Sequence, residues 1–417
     1  MACQKPPIII ISPKKWELIN QYKTKSSLTA TSKHRCLFIE HSTCREESEV
    51  FLVENLPPDV EIAVQHTQEI LTLEDLITAF SRKEKPRGYI GVEPSGLFHI
   101  GWVAWVHKLN QLVDLGVRME ILLATWHAQI NDKLGGNIER IRQCAEYLRH
   151  CFSALNVDLR KVHIIAAEDL MRRLEYWEKV LRVAKSLTLA RIRRSTDIMG
   201  RSEEEASLDF SKLIYPCLQV TDIIDQRYEI CLSGMDQRRA HVLAREVADK
   251  MKLDWKPIGI HVPLLPGLTG TSRMDVATEF SPQDLAIASK MSKSKPGDAI
   301  LIHDPPREIT KKIRNAYAPA KTVEGNPVLG YIRHILFVQE GFTLQIDRTE
   351  KFGGPIQVNS ADELDTLYTE GAVHPLDLKQ AAAKALIEFL EPVRKYFEDN
   401  AEAAKCRQEI AEFQITR

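Results

Sequence analysis

No run of about 18 apolar residues occurs in this chain, so no membrane-spanning helix is expected. Paired cysteines are also missing. The eight present, Cys3, Cys36, Cys44, Cys144, Cys151, Cys217, Cys231 and Cys406, are scattered and form no CxxC. That argues against a disulfide framework and for reduced thiols in a cytoplasmic setting. An excess of charge is absent too: 56 Lys and Arg offset 57 Asp and Glu. Any contact with nucleic acid must therefore come from local basic patches rather than a global field. What is there is a balanced chain, 44% hydrophobic and 27% charged, as in soluble globular proteins. Its 417 residues exceed one ordinary core and predict two or three domains.

Residues 1 to about 60 differ from the rest. Seven Lys and Arg precede position 40 against one acid, Glu17. The run Ile8 to Ile11 is too short for a secretory signal, and Lys14 and Lys15 follow it. An appended arm of unknown role is the expectation, with short strands at Phe51–Val53 and Glu61–Val64. His34, Cys36, His41 and Cys44 lie close enough to be zinc ligands, but their flanks lack zinc-finger architecture. No metal-ligating set is expected there or elsewhere.

From Thr72 the pattern is regular. Thr72 to Asp75 reads as a capped helix start. Strands are predicted at Arg87–Val92, Arg118–Ala124, Val162–Ala166, Tyr228–Leu232 and Ile258–Val262. Helices are predicted at His99–Leu115, Asn137–Leu155, about 174–200, 204–224 and Gln237–Met251. Strands alternating with helices predict an α/β, Rossmann-type domain with a parallel sheet. A long loop from Leu264 to Lys293 follows, and the chain then reads as mainly helical. The expected organisation is residues 1–60 as the arm, 61–306 as the α/β domain and 307–417 as a helical domain.

Two motifs carry chemistry. Strand, tight turn and helix meet at Pro94-Ser95-Gly96-Leu97-Phe98-His99-Ile100-Gly101. Backbone N–H groups at a helix start attract phosphate, and glycines let a nucleotide approach closely. Alone, the motif reads equally well as a turn with a capping histidine. Lys290-Met291-Ser292-Lys293-Ser294 alone reads best as a solvated basic loop. In this order the two read as a phosphate site with a lysine clamp, able to stabilise charge in phosphoryl or adenylyl transfer. Tyr215, Gln219 and Asp222 are a third signal. They share one helix face, and a polar stripe on a buried helix needs a ligand or partner.

His99 to Gly101 and Lys290 to Ser294 resemble the HIGH and KMSKS signatures of class I aminoacyl-tRNA synthetases. Leu232 to His241 resembles the matching segment of the tyrosyl and tryptophanyl branch, Tyr89 to Gly96 and Ile214 to Asp222 resemble the tyrosyl type of archaea and eukaryotes, and the likeness runs from about residue 70 to the end. It implies activation of L-tyrosine with ATP and Mg2+, transfer to tRNA(Tyr), and a homodimer. It implies catalytic roles for His99, Gly101, Lys290 and Lys293. Tyrosine binding would fall to Tyr89, Tyr215, Gln219, Asp222 and Gln237. ATP binding would fall to Gly91, Gly96, His99, Gly234, Asp236, Met291, Ser292, Lys293 and Ser294. For tRNA it implies Arg194, Arg238 and Arg239 at the acceptor end, and Phe352, His374, Pro375 and Asp377 at the anticodon. Two features depart from the pattern: Trp102 ends the HIGH motif, and about 17 residues, Arg273 to Ser289, extend the loop before the lysines. Gln226 falls where the family often has an apolar pocket residue, so a reshaped pocket wall is expected.

Overall fold

The computed structural model describes residues 56–199, 209–270, 291 and 297–413, and the backbone of three short strands, Ile8–Ile10, Cys36–Leu37 and Phe51–Val53. The third of these is the strand expected there. The possible zinc ligands lie outside the residues whose side chains are described, as do Lys290, Ser292, Lys293, Ser294 and the extension before them.

The first described helix, α1 (Pro58–Val64), overturns the strand expected at Glu61–Val64. Pro58 takes the first helical position, where its missing N–H costs nothing. Val60, Ala63 and Val64 then point inward at helical spacing, while Ile62 turns outward. A strand the sequence did not signal, β1 (Glu69–Leu71), comes next. In α2 (Leu73–Ser81) the Thr72 side chain caps the helix by accepting from the Asp75 N–H, as expected.

Then the alternation unfolds: β2 (Arg87–Val92), α3 (Val103–Asp114), β3 (Arg118–Leu123), α4 (Thr125–Ile130), α5 (Ile138–Ala154) and β4 (His163–Ala166). Asn137 caps α5 by accepting from the N–H groups of Glu139 and Arg140 at 3.0 and 3.1 Å. Buried Ile141, Leu148 and Phe152 on its inner face contribute roughly 1.5–3 kcal/mol each. The helix expected over 174–200 is broken into α6 (Leu174–Ser186), a short helix Leu189–Arg193 started by the Thr188 cap, and a 3-10 turn. After α7 (Phe210–Gln226), Arg227 takes left-handed backbone at φ 53°. The strand β5 (Ile230–Gly234) therefore starts two residues later than expected. The α/β part ends with α8 (Arg238–Lys250) and β6 (Ile258–Val262).

These strands form one six-stranded sheet in the order β1-β6-β5-β2-β3-β4. All pairs are parallel except β1 on β6. The central strands β5 and β6 are buried along almost their whole length, as expected where both sheet faces are covered, and the edge strand β4 is not. From β2 the chain steps outward to β3 and β4, then returns to the other side of β2 for β5. The order reverses there, so a crevice opens between the carboxyl ends of β2 and β5, where α/β sheets bind ligands.

The remaining helices include α9 (Pro306–Asn315), α10 (Pro375–Phe389), α11 (Glu391–Asp399) and α12 (Ala401–Glu412). An unexpected hairpin of β7 (Leu344–Ile346) and β8 (Ile356–Val358) lies among them. One hydrophobic cluster runs from Val60 through α5 to Ile410, and α5 packs against α11 and α12.

Candidate active site

At the carboxyl end of β2 the chain leaves the sheet and turns. Gly96 adopts φ 115°, a conformation that favours glycine. His99 precedes a single 3-10 turn, Ile100–Trp102, so the helix expected from His99 begins four residues later as α3. A Cβ on Gly101 would lie 2.9 Å from His99 Nδ1. Glycine at 101 is therefore what lets the His99 ring sit against its own backbone. Trp102, at the divergent position, packs edge-on against Phe98 with centroids 5.0 Å apart. It is part of the turn's support.

Two other elements hold this turn. From α5, Cys144 Sγ accepts from the Gly96 N–H at 3.2 Å, and the Tyr147 hydroxyl accepts from the Phe98 N–H at 3.0 Å. From beyond the lysine motif, Ile300 O accepts from the Ile100 N–H at 2.8 Å, and the Ile302 N–H donates to Phe98 O at 3.1 Å. His99 and Leu301 thus pair as an antiparallel bridge. Met291 is buried, and its N–H donates to Leu265 O at 2.8 Å. Asp298 accepts from both the N–H and the hydroxyl of Thr269. So the segments flanking the lysine motif are fixed beside the His99 turn.

Across the crevice, α7 presents the polar stripe. The Tyr215 hydroxyl donates to Glu93 at 2.8 Å, and Asn131 donates to both oxygens of the same carboxylate. Gln219 donates to Gln237 Oε1 at 3.1 Å and is the hydrogen-bonding neighbour of the Tyr89 hydroxyl. Its Oε1 is buried and accepts no bond among the described residues. Gln237 also donates to Ile198 O at 3.0 Å. Asp222 is 1% exposed. It accepts from the Tyr176 hydroxyl at 2.7 Å, and His127 Nε2 lies 3.1 Å from its other oxygen, off hydrogen-bond alignment. Tyr89 stacks on Tyr228, with centroids 4.6 Å apart, and points into the same pocket wall as Asp222. Burial pushes the Tyr89, Tyr176 and Tyr215 hydroxyls well above the usual phenol range, and nearby carboxylates add to this. They stay protonated, and Tyr176 and Tyr215 donate to Asp222 and Glu93.

The structure brings the stripe, Tyr89 and Gln237 together. Gly234 ends β5 and Asp236 lies in the 3-10 turn that follows it. Gly91 lies on β2 beside Tyr89. Gln226 does not reshape the pocket. Its side chain donates to Asp225, and its carbonyl accepts from Arg87 at the amino edge of the sheet. Sequence reasoning missed Glu93, His127, Asn131, Tyr147 and Tyr176. Glu93 stood inside a quoted motif, next to Pro94. The other four had no local signal, because their partners lie 38 or more residues away.

The basic residues separate into two kinds. Arg194 and Arg239 are exposed. Arg191 is engaged by Glu246 at 2.6–2.9 Å, and the Arg238 Nε donates to buried Glu69 at 2.8 and 3.0 Å. Glu69 also meets His261 at 2.7 Å, and His261 meets His241 at 2.9 Å. In the helical part, Phe352 is 64% exposed on a turn between β7 and β8. Arg348 bonds to Gly354 O and Ala372 O, which brings this turn to the start of α10. There the helix cap is His374, accepting from the Leu376 N–H, and not Asp377. Pro375 holds the first helical position.

The family model described as tRNA synthetases class I (W and Y) matches residues 81–277 and 283–391. A tyrosine–tRNA ligase of Sulfurisphaera tokodaii is 48% identical over 356 residues, covering 85% of this chain and 97% of that protein. The crystal structure of tyrosyl-tRNA synthetase from Aeropyrum pernix aligns with TM-score 0.75 and 42% identity, over 85% of this chain and 99% of that one. That of the Pyrococcus horikoshii enzyme complexed with L-tyrosine aligns with TM-score 0.78 and 38% identity, over 84% and 98%. A tryptophanyl-tRNA synthetase of Aeropyrum pernix shares the fold, at TM-score 0.59 and 19% identity over 84% and 86%.

Proposed function

The chain belongs to the class I tRNA synthetases (W and Y), and from that premise we propose how its residues carry out a tyrosine–tRNA ligase reaction. The carboxylate of L-tyrosine attacks the α-phosphate of ATP, forming tyrosyl-adenylate and releasing pyrophosphate. A hydroxyl of the terminal tRNA ribose then attacks the acyl carbon, and AMP leaves. No side chain need act as a nucleophile. Rate comes from positioning and charge stabilisation.

The observation that carries this reading is the buried hydroxyl-reading cluster of Tyr89 and Asp222. Asp222 keeps acceptor capacity beyond its bond to Tyr176, in a site where an apolar ring would leave it unpaired. A phenol hydroxyl fits it as donor. The open acceptor on Gln219, with Tyr215 and Gln237 beside it, suits the substrate's ammonium end. His99, Gly91, Gly96, Gly101, Gly234 and Asp236 frame the nucleotide, and Met291, Ser292, Ser294, Lys290 and Lys293 meet its phosphates. Among the described residues no group of three His, Cys, Asp or Glu could cage a metal. Mg2+ is read as arriving on the phosphates of ATP. No step above depends on it.

Residues 61–306 are read as the catalytic domain and 307–417 as the anticodon-binding domain. Arg194, Arg238 and Arg239 are assigned to the acceptor end. Phe352 would stack on an unstacked anticodon base while Asp377 accepts from a base edge, with His374 and Pro375 shaping the turn. Leu174, Trp177 and Leu181, 72%, 42% and 70% exposed, form a stripe along α6. It suits a homodimer face. Leu181→Glu should yield a monomer by analytical ultracentrifugation. No helix among the described residues is long and apolar enough to cross a membrane, and a cytoplasmic setting is proposed. Tyrosine-dependent exchange of pyrophosphate into ATP tests the reading. Exchange driven by tryptophan and not tyrosine would refute it.

A further inference from the structure

The Tyr147 hydroxyl touches two parts of the nucleotide site at once. It accepts from the Phe98 N–H at 3.0 Å and lies 3.0 Å from His303 Nε2. Phe98 is the residue before His99. His303 belongs to the segment that pairs with the His99 turn after the lysine motif. Burial, with Arg407 and Lys312 adding to it, pushes the His303 imidazole down to about 3, so the ring is neutral. The neutral ring leaves Nε2 as an acceptor within reach of the Tyr147 proton. The ring proton is then on Nδ1, near the histidine's own carbonyl. Phe397 of α11 walls both rings, 6.0 Å from Tyr147 and 5.7 Å from His303. Tyr147 itself is fully buried. In such surroundings a two-bond chain is stronger and more directional than in water.

We propose that Tyr147 and His303 form a positioning pair for ATP: the hydroxyl sets the backbone of the His99 turn against the arm that follows the lysine motif. Neither side chain touches substrate. The pair fixes the His99 turn against residues 300–303. This inference rests on the adenylation reading above.

The test is steady-state pyrophosphate exchange on the full chain, with ATP and tyrosine varied separately. Tyr147→Phe removes the proton and the acceptor while keeping the ring. We expect kcat/KM for ATP to fall by about tenfold, as for the loss of one buried hydrogen bond, and KM for tyrosine to stay within twofold. His303→Leu should reproduce this fall. His303→Gln, which keeps an acceptor, should restore most of it. The Tyr147→Phe, His303→Leu double variant should lose no more than either single change. A role in packing alone would move both substrates' constants together and would not distinguish Gln from Leu at 303. ATP constants within twofold of wild type in Tyr147→Phe, or equal losses in His303→Gln and His303→Leu, would overturn the pair. Wild-type protein with no tyrosine-dependent exchange would instead overturn the adenylation reading.

Discussion

Two buried carboxylates, Asp222 in the crevice and Glu69 at the sheet edge, have opposite surroundings. Glu69 meets the Arg238 guanidinium through both oxygens, and His261 through one of them. Although burial alone would raise it, His261 and Arg238 together hold its carboxyl below the usual range. Asp222 has a neutral phenol on one oxygen and a misaligned histidine near the other. A carboxylate whose valences are filled by its own protein holds elements together. One left with unfilled acceptor capacity is prepared for a molecule that brings the missing donor. The same depth of burial thus serves architecture in one region and recognition in the other.

The largest expected effect sharpens the first half of this contrast. Glu69→Ala strands Arg238 and His261 together and should cost about 3–5 kcal/mol in urea unfolding. Activation of tyrosine per folded molecule should change little. A variant as stable as wild type would break the contrast. Asp222→Ala should do the reverse, lowering kcat/KM for tyrosine by about a hundredfold in pyrophosphate exchange, while KM for ATP holds. An equal loss for both substrates would mean that Asp222 is structural after all. The pH dependence is a smaller effect. Because the folded pKa of Glu69 is depressed below 4.5, its stabilisation is complete above that pH and is lost as pH falls through the folded value. Thermal unfolding of wild type should therefore show an acid-side decline that is weaker in Glu69→Gln. The smallest effect is a calibration far from both carboxylates. Asn137→Ala removes the α5 cap and should cost about 1 kcal/mol with tyrosine kinetics unchanged.

The recognition carboxylate was legible in the sequence and the architectural one was not. Asp222 shares a helix face with Gln219 and Tyr215, which is a local pattern. Glu69 sits on a three-residue edge strand too short to show alternation, and its partners Arg238 and His261 are 169 and 192 residues away. The strands Arg87–Val92 and Ile258–Val262 were readable to the residue because both faces are buried. Glu61–Val64 was misread because four residues fit a strand as well as a helix, until Pro57 and Pro58 are counted as a helix start. Tyr176 and His127 reach Asp222 from separate helices. No spacing in the chain announces a side chain that arrives from another element.

The bridge between His99 and Leu301 ties the chain that follows the lysine motif directly to the nucleotide turn. Met291 is moored to Leu265, and the chain is moored again at Asp298 and Ile300. Two peptide units separate Met291 from Lys293, so covalent geometry keeps their Cα atoms within roughly 7–8 Å. A change in chain length between Gly270 and Met291 leaves the moorings at Met291, Asp298 and Ile300 where they are, so length and anchorage are free to evolve separately.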